Sequence, residues 1–239
     1  MKLENYLSIF DCIKNRIGNN ETLAKRLYSL ILFGSYVRGD FIEGVSDIDF
    51  FAVFSDSAEE SIPKLIEILK ECTQGIKYKL VDLPCVNIND LREPLKQKNP
   101  LKFLTFYQED FLKNHKVVYG EDISDILPSY DKKTLQSARA EQLIRAPQRF
   151  KDNPELLLLS AGETARFEAI INGSNSISKA DIMKTLEKIG DEEALHIYSS
   201  YIEGKEIEFS REYLSCFIVS RISKFLENRS QQNNRKVIH

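Results

Sequence analysis

Leu30–Phe54 reads LILFGSYVRGDFIEGVSDIDFFAVF, and the fold turns on how it is parsed. Leu30 to Phe33 is a short apolar run stopped by a glycine, the pattern of a buried strand. Gly34-Ser35 turns the chain, with Ser35 expected to cap a short helix of Tyr36, Val37 and Arg38. Beyond a turn containing Gly39 and Gly44, Ser46-Asp47-Ile48-Asp49 opens a second apolar run, Phe50 to Phe54. Residues two apart on a strand share a face, so Asp47 and Asp49 are expected to project side by side from an apolar frame.

Two carboxylates that close repel each other unless a cation lies between them. Hard, oxygen-preferring Mg²⁺ suits such a pair and usually brings substrate phosphates as further ligands. The Gly34-Ser35 turn offers bare backbone and a hydroxyl at a helix N-terminus, where free N–H groups favour phosphate. Either feature alone is usually a plain turn or a solvated strand end. In this order, about a dozen residues apart, they describe phosphoryl or nucleotidyl transfer.

Gly34-Ser35-x-x-Arg38-Gly39-Asp40 followed by Ser46-Asp47-Ile48-Asp49-Phe50 resembles the signature of the DNA polymerase β-like nucleotidyltransferase superfamily. The resemblance implies an α/β (α+β) N-terminal domain with a small mixed sheet. It also implies two Mg²⁺ ions, ATP or another nucleoside triphosphate as substrate, and release of pyrophosphate. Asp47 and Asp49 would be catalytic metal ligands, and Gly34 and Ser35 would hold the nucleotide. Arg38 either neutralises phosphate or pairs with Asp40 or Asp47. The family takes a third carboxylate from a neighbouring strand. Lys77 to Ile88 reads as that strand, and Asp82 is the only acid in it, so Asp82 is expected to share a metal and accept the acceptor's proton. Asp90 and Glu93, just beyond, are the fallback acids.

Composition narrows the class. The chain has 239 residues, 42% hydrophobic and 29% charged, as in soluble globular proteins. Its net charge of −3 and lack of a basic stripe favour a small substrate over a nucleic acid. No apolar run approaches a membrane span, and Met1-Lys2-Leu3-Glu4 lacks a signal-peptide pattern, so a cytoplasmic protein is expected. Cys12, Cys72, Cys85 and Cys216 are scattered, which reads as reduced core thiols rather than bridges or zinc ligands.

Around the motif, Lys2 to Ile17 repeats apolar residues at helical spacing, and Ser57 to Glu60 fits a capping box for a helix carrying Ile62, Leu65 and Leu69. Leu101 to Lys113 reads as one aromatic-rich helix, with its rings on a core face. Lys116 to Ile123 reads as an extended segment with a turn. The domains are therefore placed at 1–124 for the nucleotidyltransferase domain, 125–228 for an all-α helical bundle, and 229–239 for a disordered tail. Within the bundle, Pro147 is expected to split a helix, Asn153-Pro154 to start one, and Ser178, Asp191 and Ser210 to cap others.

This second half resembles the helical domain of aminoglycoside adenylyltransferases of the streptomycin/spectinomycin type. The likeness lies in Leu157 to Ala169, Ile177-Ser178-Lys179-Ala180, Tyr198 to Gly204, and the preceding Val118 to Asp122. The family binds ATP and drug between its two domains, with acids of the helical domain meeting the drug's cationic groups. By position Asp152 or Glu155 would do so here; as residues, both read first as ordinary first-turn acids favouring a helix dipole. The chain has no tryptophan, where the family's drug sites stack on one.

The expected function is transfer of AMP from Mg-ATP to a hydroxyl of a small, cationic, aminoglycoside-like acceptor. Two readings stand beside it. One is a toxin–antitoxin-type nucleotidyltransferase modifying a protein partner, and the other is a nucleotide-binding regulator without turnover.

Overall fold

The computed structural model describes residues 4–42, 46–56, 60–73, 83–203 and 208–236. The chain divides into two units, Met1–Ser129 and Tyr130–His239. The division falls after Ser129 rather than after residue 124. Ile123 is buried in the first unit, and Gln108 donates from Nε2 to the Pro128 carbonyl at 3.0 Å, so 123–128 is held to it.

The first unit is built on a four-stranded mixed sheet of order β3-β2-β1-β4. Its strands are β1 (Leu27–Phe33), β2 (Asp49–Phe54), β3 (Cys85–Asn87) and β4 (Lys116–Gly120). β1 pairs antiparallel with β2 and β4, and β2 pairs parallel with β3. The two central strands are buried on both faces, which is why they read as unbroken apolar runs rather than alternating ones. Leu30, Leu32, Phe50, Ala52 and Phe54 face one core, shared with Ile13, Ile17, Leu65 and Leu69. Those partners lie on α1 (Glu4–Gly18) and α4 (Ile62–Cys72). Ile31, Phe51 and Val53 face the other core, with Leu91, Phe103 and Phe111.

Several local expectations are corrected. Residues 21–26 form a short helix, α2 (Glu21–Arg26), capped by Asn20, and β1 starts at Leu27. The helix after β2, α4, begins at Ile62 after Ser61, with Pro63 in its first turn. Pro63 suits that first turn, where no N–H partner is needed, so the start lies beyond the Ser57 to Glu60 box. Of that box, residues 57–59 lie outside the described residues. The aromatic helix is broken: a 3-10 turn at Lys102–Leu104 precedes α5 (Gln108–Lys113). Thr105 marks the break, its hydroxyl donating to the Leu101 carbonyl at 3.0 Å and so competing with the backbone ladder. The rings are core all the same, with Phe33, Phe51, Phe103 and Phe111 meeting at centroid distances of 4.3 to 6.3 Å.

Cys12 and Cys72 are bridged, against the expectation of free thiols, with Cα atoms 5.7 Å apart. The pair is remote in sequence, and adjacency comes only from the packing of α1 against α4 on one sheet face. Cys85 and Cys216 are free. The cysteines therefore no longer argue for a reducing compartment. Among the described residues, no helix is long and apolar enough to cross a membrane.

The second unit is a helical bundle: α6 (Lys132–Leu143), α7 (Ala146–Arg149), α8 (Pro154–Ile171), α9 (Lys179–Lys188), α10 (Glu192–Glu203) and α11 (Arg211–Lys236). Pro147 splits α6 from α7, since a proline cannot complete the ladder. Asn153, Ser178, Asp191 and Ser210 accept N–H groups of the first turns they precede. α8 is buried on most sides. Its Gly162 lies under Tyr201, where a Cβ would collide with the ring. Glu163 is 1% exposed and lies between Arg139 and Arg166, at 2.8 Å from each, and Arg166 also reaches Tyr198. The tail expected from residue 229 is instead helix to Lys236. Arg229 lies over the Phe225 ring and donates to the Lys133 carbonyl at 2.6 Å, which anchors α11 to α6.

Candidate active site

The site lies where β1 ends and β2 begins. Phe33 pairs with Asp49 in the antiparallel register, so the chain leaves β1 directly across from the start of β2. Gly34 then takes φ +80°, a conformation that side-chain-bearing residues rarely adopt. Ser35 follows as the first residue of α3 (Ser35–Arg38), with Gly34 in the cap position. Ser35 is therefore not the cap that the motif suggested; the left-handed turn has to sit one residue earlier, where there is no Cβ. α3 is closed by Arg38 N–H to Gly34 carbonyl (3.1 Å) and Gly39 N–H to Ser35 carbonyl (3.0 Å).

Gly34 also meets Asp49. A Cβ built on Gly34 would overlap Asp49 Oδ2 and lie 3.0 Å from its Cγ. The bare turn and the carboxylate are thus in contact, though they are far apart in the motif. Asp47 precedes Asp49 by two residues and lies ahead of the ladder rather than on it. Burial alternates through this lead-in: Ser46, Ile48 and Phe50 are buried, and Asp47 and Asp49 are half-buried. Ser46 sets that phase, because its hydroxyl accepts from Ile42 N–H at 2.9 Å while its own N–H donates to the Ile42 carbonyl.

Arg38 is held by acids. Its Nε donates to Asp40 Oδ1 at 3.2 Å, and its Nη1 donates to Asp110 Oδ2 at 3.0 Å. Of the alternatives open in the sequence, pairing with Asp40 is the one observed. Asp110 gave no signal of its own, since nothing in the spacing links it to a residue 72 positions away.

Asp82, with the first half of its expected strand, lies outside the described residues, and β3 begins at Cys85. Pro84 accepts from Ala52 N–H at the sheet edge. Of the fallback acids, Asp90 accepts from Gln97 Nε2 at 3.1 Å, and Glu93 pairs with Lys96 on the surface. Burial pushes the Cys85 thiol up to about 11, so it is no thiolate nucleophile at neutral pH. Asp152 and Glu155 are both exposed in the second unit. Asp152 lies just ahead of the Asn153 cap, and Glu155 lies in the first turn of α8.

Among the described residues, no three His, Cys, Asp or Glu side chains gather into a metal-binding group. Asp47 and Asp49 nonetheless fit Mg²⁺ in chemistry: two hard carboxylates beside a bare turn are what that ion takes from a protein when phosphates supply the rest.

Residues 17–119 match the model of the nucleotidyltransferase domain family. Most of the first unit is therefore similar to a nucleotidyltransferase enzyme domain, as the resemblance of the motif implies. In fold, the chain is similar to the crystal structure of spectinomycin adenyltransferase AAD(9) from Enterococcus faecialis with ATP and spectinomycin. That likeness has a TM-score of 0.60 at 17% identity, covering 93% of this chain and 100% of the other. No curated protein matches the chain in sequence.

Proposed function

We propose that this chain is a Mg-dependent adenylyltransferase that moves AMP from ATP to a hydroxyl of a small, cationic, aminoglycoside-like acceptor and releases pyrophosphate. The observation that carries the proposal is the contact between the Gly34 backbone and the Asp49 carboxylate, which sets a bare glycine turn beside one of the paired acids. The fold likeness supports it further, because it extends over both halves of the chain to an adenyltransferase holding ATP and spectinomycin. A single-domain antitoxin would not carry the helical unit. The net charge of −3 supports a small acceptor over a nucleic acid.

In this reading Asp47 and Asp49 hold two Mg²⁺ ions, which when bound neutralise the triphosphate and the departing pyrophosphate. The Gly34-Ser35 turn orients the terminal phosphates. Asp82 takes the proton of the acceptor hydroxyl. The freed oxygen bonds to the α-phosphorus as the bond from that phosphorus to the α–β bridging oxygen breaks. Asp152 and Glu155 are exposed carboxylates available to a cationic acceptor.

The test is pyrophosphate release with each nucleoside triphosphate and Mg²⁺ against aminoglycosides and other amino-hydroxyl compounds, with the product mass read alongside. ATP-dependent release with an acceptor gaining AMP is expected. Nucleotide binding without pyrophosphate release from any acceptor would instead indicate a regulator.

A further inference from the structure

We propose that Asp110 is a positioning residue that, through Arg38, holds the Gly34–Arg38 turn against Asp49; the consequence for turnover rests on the nucleotidyltransferase reading above. α3 has four residues between Gly34 at φ +80° and Gly39 at φ +86°. A single turn with a glycine at each end does not hold its own shape, so its place must be set from outside. Arg38 is the residue that reaches out. Its side chain is 12% exposed, and its guanidinium divides between Asp40, two residues on, and Asp110, from α5.

Asp110 is itself fixed. Its other oxygen accepts from Asn114 Nδ2 at 3.0 Å, and its neighbour Phe111 is 1% exposed. The Phe111 ring lies 5.7 Å from Phe33 and 6.3 Å from Phe51. Phe33 immediately precedes Gly34, and Phe51 follows Asp49 by two residues. Gln108, one turn earlier, is tied to the Leu104 and Pro128 carbonyls. α5 therefore touches the strand on each side of the site and, through Asp110, the turn between them. With its charge met by two carboxylates, Arg38 serves as a strut rather than a phosphate ligand, since a largely desolvated guanidinium that leaves one acid strands that acid's charge.

The experiment uses the full chain and the variants Asp110→Asn, Asp110→Glu, Arg38→Gln and Arg38→Gln/Asp110→Asn. Hydrogen exchange without nucleotide is read at the Arg38, Gly39 and Asp40 amides. Asp110→Asn is expected to speed these about tenfold or more while the β1–β2 ladder is unchanged, as local opening requires. In turnover, kcat is expected to fall about 10- to 100-fold, with KM for ATP within about threefold, because misplacement of the turn acts on geometry rather than binding. Asp110→Glu should recover most of the loss, and the double variant should be no worse than Arg38→Gln alone. Unchanged exchange in Asp110→Asn would overturn the proposal. So would a KM for ATP raised by Arg38→Gln and untouched by Asp110→Asn, which would make Arg38 a phosphate ligand. If the wild type releases no pyrophosphate, the functional reading fails while the exchange measurement still decides on the strut. If Asp110→Asn does not fold, Asp110→Glu and Arg38→Gln carry the same comparison.

Discussion

Gly34 and Asp49 are in contact across the first turn of the sheet, and a single added carbon on Gly34 would occupy the place of the Asp49 carboxylate. Gly34→Ala therefore combines an unfavourable positive φ with displacement of the acid. Positive φ in a non-glycine residue costs roughly 1–2 kcal/mol. Turnover should fall further than stability, by about 100-fold, because a shift near 1 Å at a reacting centre costs that much. Thermal unfolding and pyrophosphate release, measured on the same preparation, separate the two effects.

The Cys12–Cys72 bridge closes a loop with a sequence separation of 60, enclosing β1, α3 and β2. In the chain-entropy account such a loop stabilises by about 4 kcal/mol. Reduction, or Cys12→Ser with Cys72→Ser, should lower the melting temperature by roughly 10 °C. Alkylation with mass detection should find two thiols blocked before reduction and four reactive after it. An unshifted melting temperature on reduction would show that the bridge does not constrain the unfolded chain.

Burial pushes the Glu168 carboxyl above the ordinary glutamate range, against the pull of Arg221, 2.9 Å away. The folded chain then keeps a proton that the unfolded chain has lost. Stability contributed by this group is present below the ordinary glutamate value and falls as pH rises through the raised one. Glu168→Gln should flatten that slope, and the difference between the two proteins in denaturant titrations across this range isolates it. A slope identical in both would place the titration elsewhere.

The parts of the fold legible in the sequence are those set by neighbours along the chain. The strands around Leu30 to Phe33 and Phe50 to Phe54 are read from apolar runs and a glycine stop. The starts at Asn153-Pro154, Ser178 and Asp191 are read from caps, which act over three residues. What escaped the sequence depends on distance in space. Cys12 meets Cys72 only because α1 and α4 share a sheet face. Arg38 meets Asp110 only because Phe111 seats α5 under β1 and β2. The break at Thr105 escaped because its aromatic residues keep a helical spacing while a side-chain hydroxyl ends the ladder. In the site, Gly34 and the Asp pair were legible as a motif, but the contact that joins them was not.

The central claim is that Asp47 and Asp49, beside the Gly34 turn, hold the metal-bound triphosphate. Pyrophosphate release from Mg-ATP and an accepted amino-hydroxyl compound, compared between the wild type and Asp49→Asn, tests it most directly. The expected result is a loss of about 100- to 1,000-fold, the range for removal of a charge-stabilising group, with the melting temperature nearly unchanged. An Asp49→Asn protein that turns over at a rate close to wild type would contradict it.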